Sequence, residues 1–498
     1  MIRWARAGLA LGTLFLAPLG PLLSSAPASA EPTLEEPQQT LDERLDASLA
    51  HRGLRGARIG ALVVDAGSGE VLYARDPDKA MVPASNMKLL TALAVLSAFG
   101  PAHRFETAIF ADAPLDAEGG VGTLYVRGGG DPALTSEDLW RLAADLRRAG
   151  LRSVRGGMVL DASLFDDQLW HPSWGKVTAR AYNAPIGAFA VNYGSFAVRV
   201  AAGEQSGDPV VAIVDPPVSF LRLTNRARTV PQRGRAQLTV DRQAGTGFDQ
   251  VLVTGTVRAG AERVHYRSVA DPVRYAGSVL RLQLAANGIG IEGPIERGAV
   301  PEDATELLRF AGKPLGEIVR RFMKWSNNHI GESLVKSLGA HRGAAPAGWS
   351  EGVQAVRAEL VRNGIEVDGL SLVDGSGLSY DNKVTPRAFV AALLRADRSF
   401  RFGPEFVAAL PIAAADGTLE KRAKGAAYGV RAKTGNLTRV TGLSGYAHRP
   451  GGEVAVFSIL VNGFRRGTED AWEGVDDFVT ELVGPEPARL VQERPRLP

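Results

Sequence analysis

The sequence lacks cysteine, has few histidines and carries almost no excess of one charge, and each of these features excludes a class of protein. Without cysteine the chain forms no disulfide and cannot be a lipoprotein, so its stability must come from packed cores. The seven histidines include no pair at the spacing of metal ligands, so we predict neither a metal nor another cofactor. A formal net charge of +3 gives no reason to expect a nucleic-acid partner.

The N-terminus has the features of a secretory leader. An apolar run from Leu9 to Leu23 follows two arginines, and Ala28-Ser29-Ala30 precedes Glu31 as a small-residue cleavage site. We predict that residues 1–30 are a signal peptide and that the mature chain is secreted across the inner membrane into the periplasm, without a permanent membrane anchor. An uncleaved anchor is the alternative, but two prolines interrupt the run.

Ser85 and Lys88 stand three residues apart where a loop leads into an apolar helix. At this spacing the two side chains project from one face, so the hydroxyl and the amine come within hydrogen-bonding distance. An amine kept neutral by desolvation or by nearby cations can take the serine proton. The free N–H groups at the start of the helix favour developing negative charge. The pair therefore predicts a serine nucleophile with a lysine base.

The serine–lysine spacing alone is weak evidence, because it recurs at Ser173…Lys176 and at Ser333…Lys336. Two further motifs, Ser326-Asn327-Asn328 and Lys433-Thr434-Gly435, follow the first copy in that order. The same three kinds of motif occur together in β-lactamases and penicillin-binding proteins. This ordered set favours Ser85 and Lys88 as the functional pair.

The apolar patterns predict an α/β (α+β) protein of more than one domain. The chain has 498 residues, of which 45% are hydrophobic and 22% charged. A helix over 41–54 and a hairpin over 57–74 precede Ser85, and short strand-like runs dominate the middle of the chain. Helical patterns resume from Leu315, and three strands and a closing helix over 472–482 end the sequence.

Two other motifs have ordinary structural interpretations. Gly128-Gly129-Gly130 lacks the ending of a phosphate loop, and we interpret it as a tight turn. Asp161 and Asp166-Asp167 are typical of turn or surface carboxylates rather than of a catalytic pair.

The remaining motif residues suit the recognition of a peptide with a free C-terminus. Lys433 and Thr434 can bind a carboxylate, and Gly435 lets a substrate backbone approach. Ser326 can relay a proton to the leaving nitrogen, and Asn328 can hold a substrate amide through its donor and its acceptor. Considered singly, Ser326 could equally cap the helix that follows and Lys433 could be a solvated charge.

On these residues the chain resembles the class C low-molecular-mass penicillin-binding proteins, which are serine D-alanyl-D-alanine carboxypeptidases and endopeptidases. The likeness extends over nearly the whole mature chain and includes Ala184-Pro185 and the loop Asp374–Ser379. It implies a penicillin-binding-protein or serine β-lactamase-like catalytic domain, built from an antiparallel sheet and helices over 31–104 and 286–498. Residues 105–285 would form inserted β-rich accessory domains.

The resemblance also implies roles for the catalytic residues. Ser85 would be the acylated nucleophile and Lys88 its base, while Ser326 and Asn328 would complete the cleft. The reaction would proceed on peptidoglycan stem peptides and cross-links, and β-lactams would acylate the same serine. A secreted β-lactamase and a noncatalytic envelope scaffold are the alternatives, and the oligomeric state and the balance of carboxypeptidase and endopeptidase activity stay open.

For substrate binding, the resemblance implies that Lys433 and Thr434 bind the terminal carboxylate, with Gly435 and Asn436 also at the substrate site. The oxyanion hole would consist of the backbone N–H groups of Ser85 and Asn436. Asn436 stands where relatives usually have a small residue, which leaves the backbone donor intact but alters the cleft.

A second departure concerns the pocket for the third residue of the stem peptide. Tyr380 stands where relatives often have an arginine, and no carboxylate occurs between Asp167 and Glu204, where relatives often place one. We therefore expect weak preference for a free diaminopimelyl amine over an acylated or neutral side chain.

Overall fold

The computed structural model of the protein describes residues 39–484, so the predicted leader at residues 1–30 lies outside the described part. Within residues 39–484, no helix is both long enough and apolar enough to cross a membrane. Residues 41–484 form one compact unit.

Helices adjoin the serine motif and dominate the second half of the chain, and one, Ser136–Arg148, lies among the strands between them. They are α1 (Leu41–Leu49), α2 (Met87–Phe99), α3 (Ser136–Arg148), α4 (Pro272–Ala286), α5 (Leu315–Lys324), α6 (Asn328–His341), α7 (Trp349–Arg362), α8 (Pro386–Asp397), α9 (Gly403–Ala409) and α10 (Thr468–Val483).

The strands are most numerous in the middle of the chain. They are β1 (Arg58–Asp65), β2 (Val71–Arg75), β3 (Arg104–Ala111), β4 (Gly120–Val121), β5 (Leu124–Arg127), β6 (Ser153–Val154), β7 (Met158–Asp161), β8 (Ser195–Ala201), β9 (Val211–Asp215), β10 (Leu221–Asn225), β11 (Arg228–Val230), β12 (Gln237–Ala244), β13 (Asp249–Arg258), β14 (Glu262–Ser268), β15 (Gly290–Ile291), β16 (Ile295–Arg297), β17 (Thr305–Pro314), β18 (Val430–Leu437), β19 (Val440–His448) and β20 (Val454–Asn462).

Five antiparallel strands in the order β18-β19-β20-β1-β2 form the sheet beside the serine motif. Helices α1 and α10 cover one face, and α2 and α8 contribute to the core on the other face. Because both faces are buried, β20 is apolar along its length: Phe457 and Ile459 enter the first core, whereas Val456 and Leu460 enter the second. This sheet supports the serine on one side and α10 on the other.

The other sheets belong to the middle of the chain. The largest has the order β16-β7-β5-β3-β17, and one cluster of buried side chains extends from Ile109 to Phe310. Because β17 pairs with β3, this part continues to Pro314, beyond the boundary at 285 that the sequence suggested. The division into domains stays a prediction, and we propose that the inserted part ends near residue 314.

The predicted fold class, a mixture of antiparallel sheets and helices, is confirmed, but several element bounds differ. The first helix ends at Leu49 rather than at 54, and Arg52–Leu54 forms a separate 3-10 turn. Helices α8 and α9 were not predicted, although Thr385 caps α8 and Pro386 begins it. These are ordinary signals of a helix start that the sequence analysis did not use.

We predict that Phe457→Ala lowers the free energy of unfolding by about 3–5 kcal/mol, because it leaves a cavity in a core where the ring is fully buried. Val454→Ala on the same strand is the control, since Val454 is 37% exposed. Thermal melting of the two variants checks this. Equal losses of stability in the two variants would mean that the Phe457 ring is not buried more deeply than Val454.

Candidate active site

Ser85 and Lys88 are in direct contact at the start of α2. Ser85 lies in the 3-10 turn Ala84–Asn86, and Lys88 is the second residue of the helix. Lys88 Nζ lies 2.9 Å from Ser85 Oγ, and it also donates to Asn328 Oδ1 at 2.8 Å and to the carbonyl of Ser376 at 2.6 Å. Ser85 is partly exposed, whereas Lys88 is fully buried. The partly exposed hydroxyl of Ser85 is therefore in contact with the buried amine of Lys88.

The surroundings of Lys88 favour its neutral form. Burial lowers its pKa to about 7, although the carboxylates of Glu332 and Asp374 act in the opposite direction. A solvated lysine is almost entirely charged at neutral pH, but a lysine with this pKa is about half neutral. The amine can therefore accept the proton of Ser85.

Glu332, a carboxylate that the sequence analysis did not single out, organises the loop behind Lys88. It is fully buried and accepts hydrogen bonds from the backbone N–H groups of Gly375 at 3.0 Å and Ser376 at 2.7 Å, and from the indole of Trp349 at 2.7 Å. Because the carbonyl of Ser376 accepts from Lys88, Glu332 determines where one of the lysine's partners lies. The available signal was an acid four residues after Asn328, one turn into the helix that follows the motif.

Ser326 pairs with Lys433. Lys433 Nζ donates to Ser326 Oγ at 2.9 Å and to the Thr434 carbonyl at 2.8 Å. Burial, and then the charge of Lys88, lower the pKa of Lys433 well below its ordinary value. The helix cap is Asn327, whose side chain accepts from Ile330 N–H. Ser326 is therefore not needed as a cap, and its φ of +54° is a strained conformation of the kind found at functional sites.

Asn328 has less freedom to bind substrate than its sequence context suggested. Its Oδ1 atom is occupied by Lys88, and its Nδ2 atom donates to the carbonyl of Tyr182 at 3.1 Å. One N–H of the amide is left for a further hydrogen bond. In this arrangement Asn328 mainly holds Lys88 in place.

Strand β18 forms an edge of the sheet and presents the backbone N–H of Asn436 outward. On the side away from β19, the Val430 carbonyl accepts from Ala413 and the Ala432 N–H donates to the Pro411 carbonyl. Backbone groups of a strand repeat their direction every second residue, so Asn436 N–H points to the same free side. This is the direction that an oxyanion-hole donor requires.

Gly435 allows β18 to lie against the turn that carries Ser85. A Cβ atom at Gly435 would be 2.5 Å from Asn86 Nδ2 and 2.6 Å from the Pro83 carbonyl oxygen. From the sequence we predicted that this glycine lets a substrate backbone approach, but in the structure it lets the protein's own chain approach. The motif also lies inside β18, with Asn436 and Leu437 following it, rather than at the end of the strand.

The site opens into a groove with two parts that share Ser85, Ser326 and Asn436. The part that we call the Thr434 side has a volume of about 500 Å³, and its further lining residues are Gly417, Thr418, Glu420, Lys421, Arg422, Thr434 and Trp472. The part that we call the Tyr182 side has a volume of about 410 Å³, and its further lining residues are Tyr182, Asn328, Gly377, Leu378, Tyr380, Leu437 and Thr438. Lys433 lines neither part, so Thr434 is the Lys-Thr-Gly side chain that faces the groove.

The other two serine–lysine copies do not form catalytic pairs. Lys336 Nζ bonds to Asp166 Oδ1 at 2.5 Å, whereas Ser333 Oγ is buried without a hydrogen-bond partner. Ser173 Oγ donates to Ser379 Oγ at 2.7 Å. Lys336 and Ser173 are therefore bonded to other side chains, and the Ser333 hydroxyl has no base beside it.

Asp161 and Asp166 also take part in contacts that hold the fold together. Asp161 is buried rather than at the surface, and it pairs with Arg127 and accepts hydrogen bonds from Ser163. Asp166 pairs with Lys336. Over residues 39–484, no cluster of three or more histidine, aspartate or glutamate side chains is arranged to hold a metal ion.

We predict that Lys336→Ala lowers the free energy of unfolding by about 2 kcal/mol while leaving the Ser85–Lys88 pair intact. The Lys336 side chain is fully buried beside Asp166, whose side chain is 33% exposed. In the variant the Asp166 carboxylate loses its partner, but it is only partly desolvated. Chemical denaturation checks the loss. An unchanged stability would show that the ion pair is not formed in solution.

Comparison with known proteins identifies relatives over most of the chain. The D-Ala-D-Ala carboxypeptidase 3 (S13) family matches residues 41–482. A D-alanyl-D-alanine carboxypeptidase of Actinomadura sp. (strain R39) is 38% identical over 92% of this chain and 87% of its own length. D-alanyl-D-alanine carboxypeptidase DacB of Haemophilus influenzae is 26% identical over 83% of this chain and 87% of its own.

Solved structures agree with the sequence comparison. The crystal structure of penicillin binding protein 4 (dacB) from Haemophilus influenzae superposes with a TM-score of 0.75 at 25% identity, covering 88% of this chain and 98% of that chain. A structure of the same protein with a novel β-lactam superposes with a TM-score of 0.70 at 25% identity, covering 88% of this chain and 97% of that chain. The chain therefore belongs to the D-Ala-D-Ala carboxypeptidase 3 (S13) family of serine hydrolases.

Proposed function

We propose that this serine D-Ala-D-Ala carboxypeptidase works through an acyl-enzyme on Ser85, and that it cuts both the stem peptides and the cross-links of peptidoglycan. The observation that carries the proposal is the 2.9 Å hydrogen bond from a fully buried Lys88 to Ser85 Oγ. The predicted leader supports action in the periplasm. A relative's structure with a β-lactam supports acylation by the same class of compound.

In the proposed reaction, Ser85 Oγ attacks the carbonyl carbon of the penultimate D-alanine while its proton passes to Lys88 Nζ. The backbone N–H groups of Ser85 and Asn436 donate hydrogen bonds to the carbonyl oxygen and stabilise the negative charge that develops on it. The C–N bond then breaks as the leaving nitrogen takes a proton that Ser326 relays from Lys88, so that Lys88 becomes neutral again, while Lys433 holds the Ser326 hydroxyl in place. A water molecule then attacks the ester carbonyl and gives a proton to Lys88, which passes a proton to Ser85 Oγ as the ester bond breaks.

Substrate placement follows from the two parts of the groove. The terminal carboxylate would bind near the Thr434 hydroxyl, so the leaving residue would lie on the Thr434 side. The acyl part of the peptide would lie on the Tyr182 side. A cavity of about 500 Å³ exceeds what a single D-alanine fills, and this supports the proposal that a cross-linked strand can also leave.

Benzylpenicillin should form one stable adduct per chain on Ser85, because its lactam carbonyl meets the nucleophile in the same position as the peptide bond. Intact mass measurement followed by peptide mapping checks this. Ser85→Ala should abolish the adduct, whereas the matched variant Ser333→Ala should retain it. An adduct mapped to Ser173 or Ser333 would disprove the proposed role of Ser85.

The rate of acylation should rise with pH through about 7 and then level, because only the neutral form of Lys88 accepts a proton. At two pH units below this midpoint the rate should be roughly a hundredfold lower. Stopped-flow measurement with a chromogenic β-lactam checks the profile. Lys88→Ala should acylate ~10²–10⁴-fold more slowly while staying folded, and near-normal acylation would mean that another group takes the proton.

Peptides with an acylated or neutral third side chain should be cleaved about as well as those with a free amine. No charged residue is among those lining the Tyr182 side, so an ammonium group would find no counter-charge there. The measurement is kcat/KM for matched D-Ala-D-Ala peptides that differ only at that side chain. A preference for the free amine above ~100-fold would contradict the expectation.

A further inference from the structure

The inserted part of the chain contains a strongly basic segment, which the nearly balanced total charge conceals. Residues 216–268 include nine arginines but only three acids, and no acid occurs between 216 and 240. The whole chain has a formal net charge of only +3. Strands β10 to β14 all lie in this segment. A concentration of one charge on one part of a protein favours a partner of the opposite charge.

A cleft of about 260 Å³ lies within this segment. It is lined by Arg258 on β13 and by Arg263 and His265 on β14, together with Thr256 and four apolar side chains, and we call it the arginine cleft. Within residues 39–484, no carboxylate lines it. It shares no lining residue with either part of the groove at Ser85. The arginine cleft is therefore a separate, basic site.

The protein itself does not neutralise the two guanidinium groups of the cleft. Within residues 39–484, the exposed side chain of Arg263 forms neither an ion pair nor a hydrogen bond. Arg258 uses only its Nε atom, which donates to the Gly234 carbonyl at 2.9 Å. The terminal N–H groups of both arginines are therefore available, and such groups bind the oxygens of a carboxylate or phosphate in pairs.

The three acids of the segment do not face the cleft. On β12, Asp241 is three positions from Leu238, which lines the cleft, so the two side chains lie on opposite faces of the strand. On β14, Glu262 is next to Arg263 and lies on the opposite face for the same reason. Asp249 is fully buried at the start of β13. The positive charge of the cleft is thus left without a counter-charge.

His265 shows that the groups around the cleft repel further positive charge. Its Nε2 atom is buried and has no hydrogen-bond partner. Burial, and then the charges of Arg267 and Arg263, lower the pKa of the imidazole. The charges that act on this ring are therefore positive, and a bound anion would stabilise such an arrangement.

Further arginines extend the positive surface beyond the cleft. Arg233 and Arg235 flank Gly234, the residue that Arg258 contacts, and both are exposed. Within residues 39–484, neither side chain forms an ion pair or a hydrogen bond. Several separate cations suit a polymer with repeated anionic groups better than one small anion. The loops 231–236 and 259–261 have no aromatic or branched apolar side chain, which a surface that inserts into a membrane would need.

We propose that the arginine cleft binds a phosphate or carboxylate group of an anionic polymer, and that the inserted part thereby holds the protein on that polymer. Arg258 and Arg263 supply paired N–H donors to the anionic group, and Arg233 and Arg235 contact its neighbours along the polymer. This inference does not rest on the proposed function, because the cleft and the groove at Ser85 share no residue.

Two model polymers test the inference and identify the anionic group: sodium polyphosphate and poly-L-glutamate. The mature chain should bind at least one of them in isothermal titration calorimetry. The Kd should rise with salt concentration, because bound counterions are released from the polymer. The polymer that binds more tightly identifies the anionic group. Binding of neither polymer at low salt would overturn the inference.

Arg263→Gln removes one charge from the cleft without removing a side-chain contact of the fold. It should raise the Kd for the polymer about tenfold, as expected for the loss of hydrogen bonds to a charged group. The matched control is Arg148→Gln, which removes the same charge from α3, where the side chain is 72% exposed. This control should change the Kd less than twofold. Equal effects of the two substitutions would show that net charge alone attracts the polymer, which would contradict a specific cleft.

The NMR signals of the His265 imidazole locate the bound polymer. The polymer that binds should shift these signals, assigned with His265→Gln, and leave those of His448 on β19 unchanged. Binding without a shift at His265 would place the polymer elsewhere and overturn the inference. Tighter binding to phosphatidylglycerol vesicles than to either polymer, lost in Arg263→Gln, would identify a membrane surface instead and would also overturn it.

Arg263→Gln should keep its melting temperature and its benzylpenicillin adduct on Ser85, because Arg263 lies outside the groove. A loss of polymer binding in this variant is then not a loss of folding. Failure of the proposed function would appear differently, as benzylpenicillin acylation that persists in Ser85→Ala.

Discussion

The burial of the Lys88 amine against Ser85 is the interaction on which the rest of the site depends. A buried ammonium group is costly, so the lysine is partly neutral at neutral pH, and two of its three hydrogen-bond partners, Asn328 and Ser376, come from distant parts of the chain. Glu332 supports one of them by binding the loop that carries Ser376. The serine, the Ser-Asn-Asn motif and the glycine-rich loop are thereby joined around one nitrogen atom.

The second constraint is the close approach of β18 to the serine turn. Gly435 lies so near Pro83 and Asn86 that a side chain would displace the strand. Gly377 plays the same part on the other side, where a Cβ atom would be 1.8 Å from the Ala84 carbonyl oxygen. These contacts bring the outward N–H of Asn436 beside Ser85.

The sequence predicted those features that depend on local spacing. The Ser85–Lys88 contact follows from three residues at a helix start, and the order of the motifs identified the fold. Contacts that join distant residues were missed, because no local pattern encodes them. Glu332 with Ser376 and Trp472 with Asn436 are examples, and the buried state of Lys433 is another. The extension of the middle sheet to β17 was missed for the same reason.

The most direct test of the account is a titration of Lys88 in the folded protein, followed by NMR with isotope-labelled lysine side chains and assigned with Lys88→Arg. The account predicts a midpoint near 7, because burial outweighs the nearby carboxylates. A midpoint near the ordinary lysine value of about 10 would contradict it, since Lys88 would then be charged and unable to take the proton of Ser85 at neutral pH.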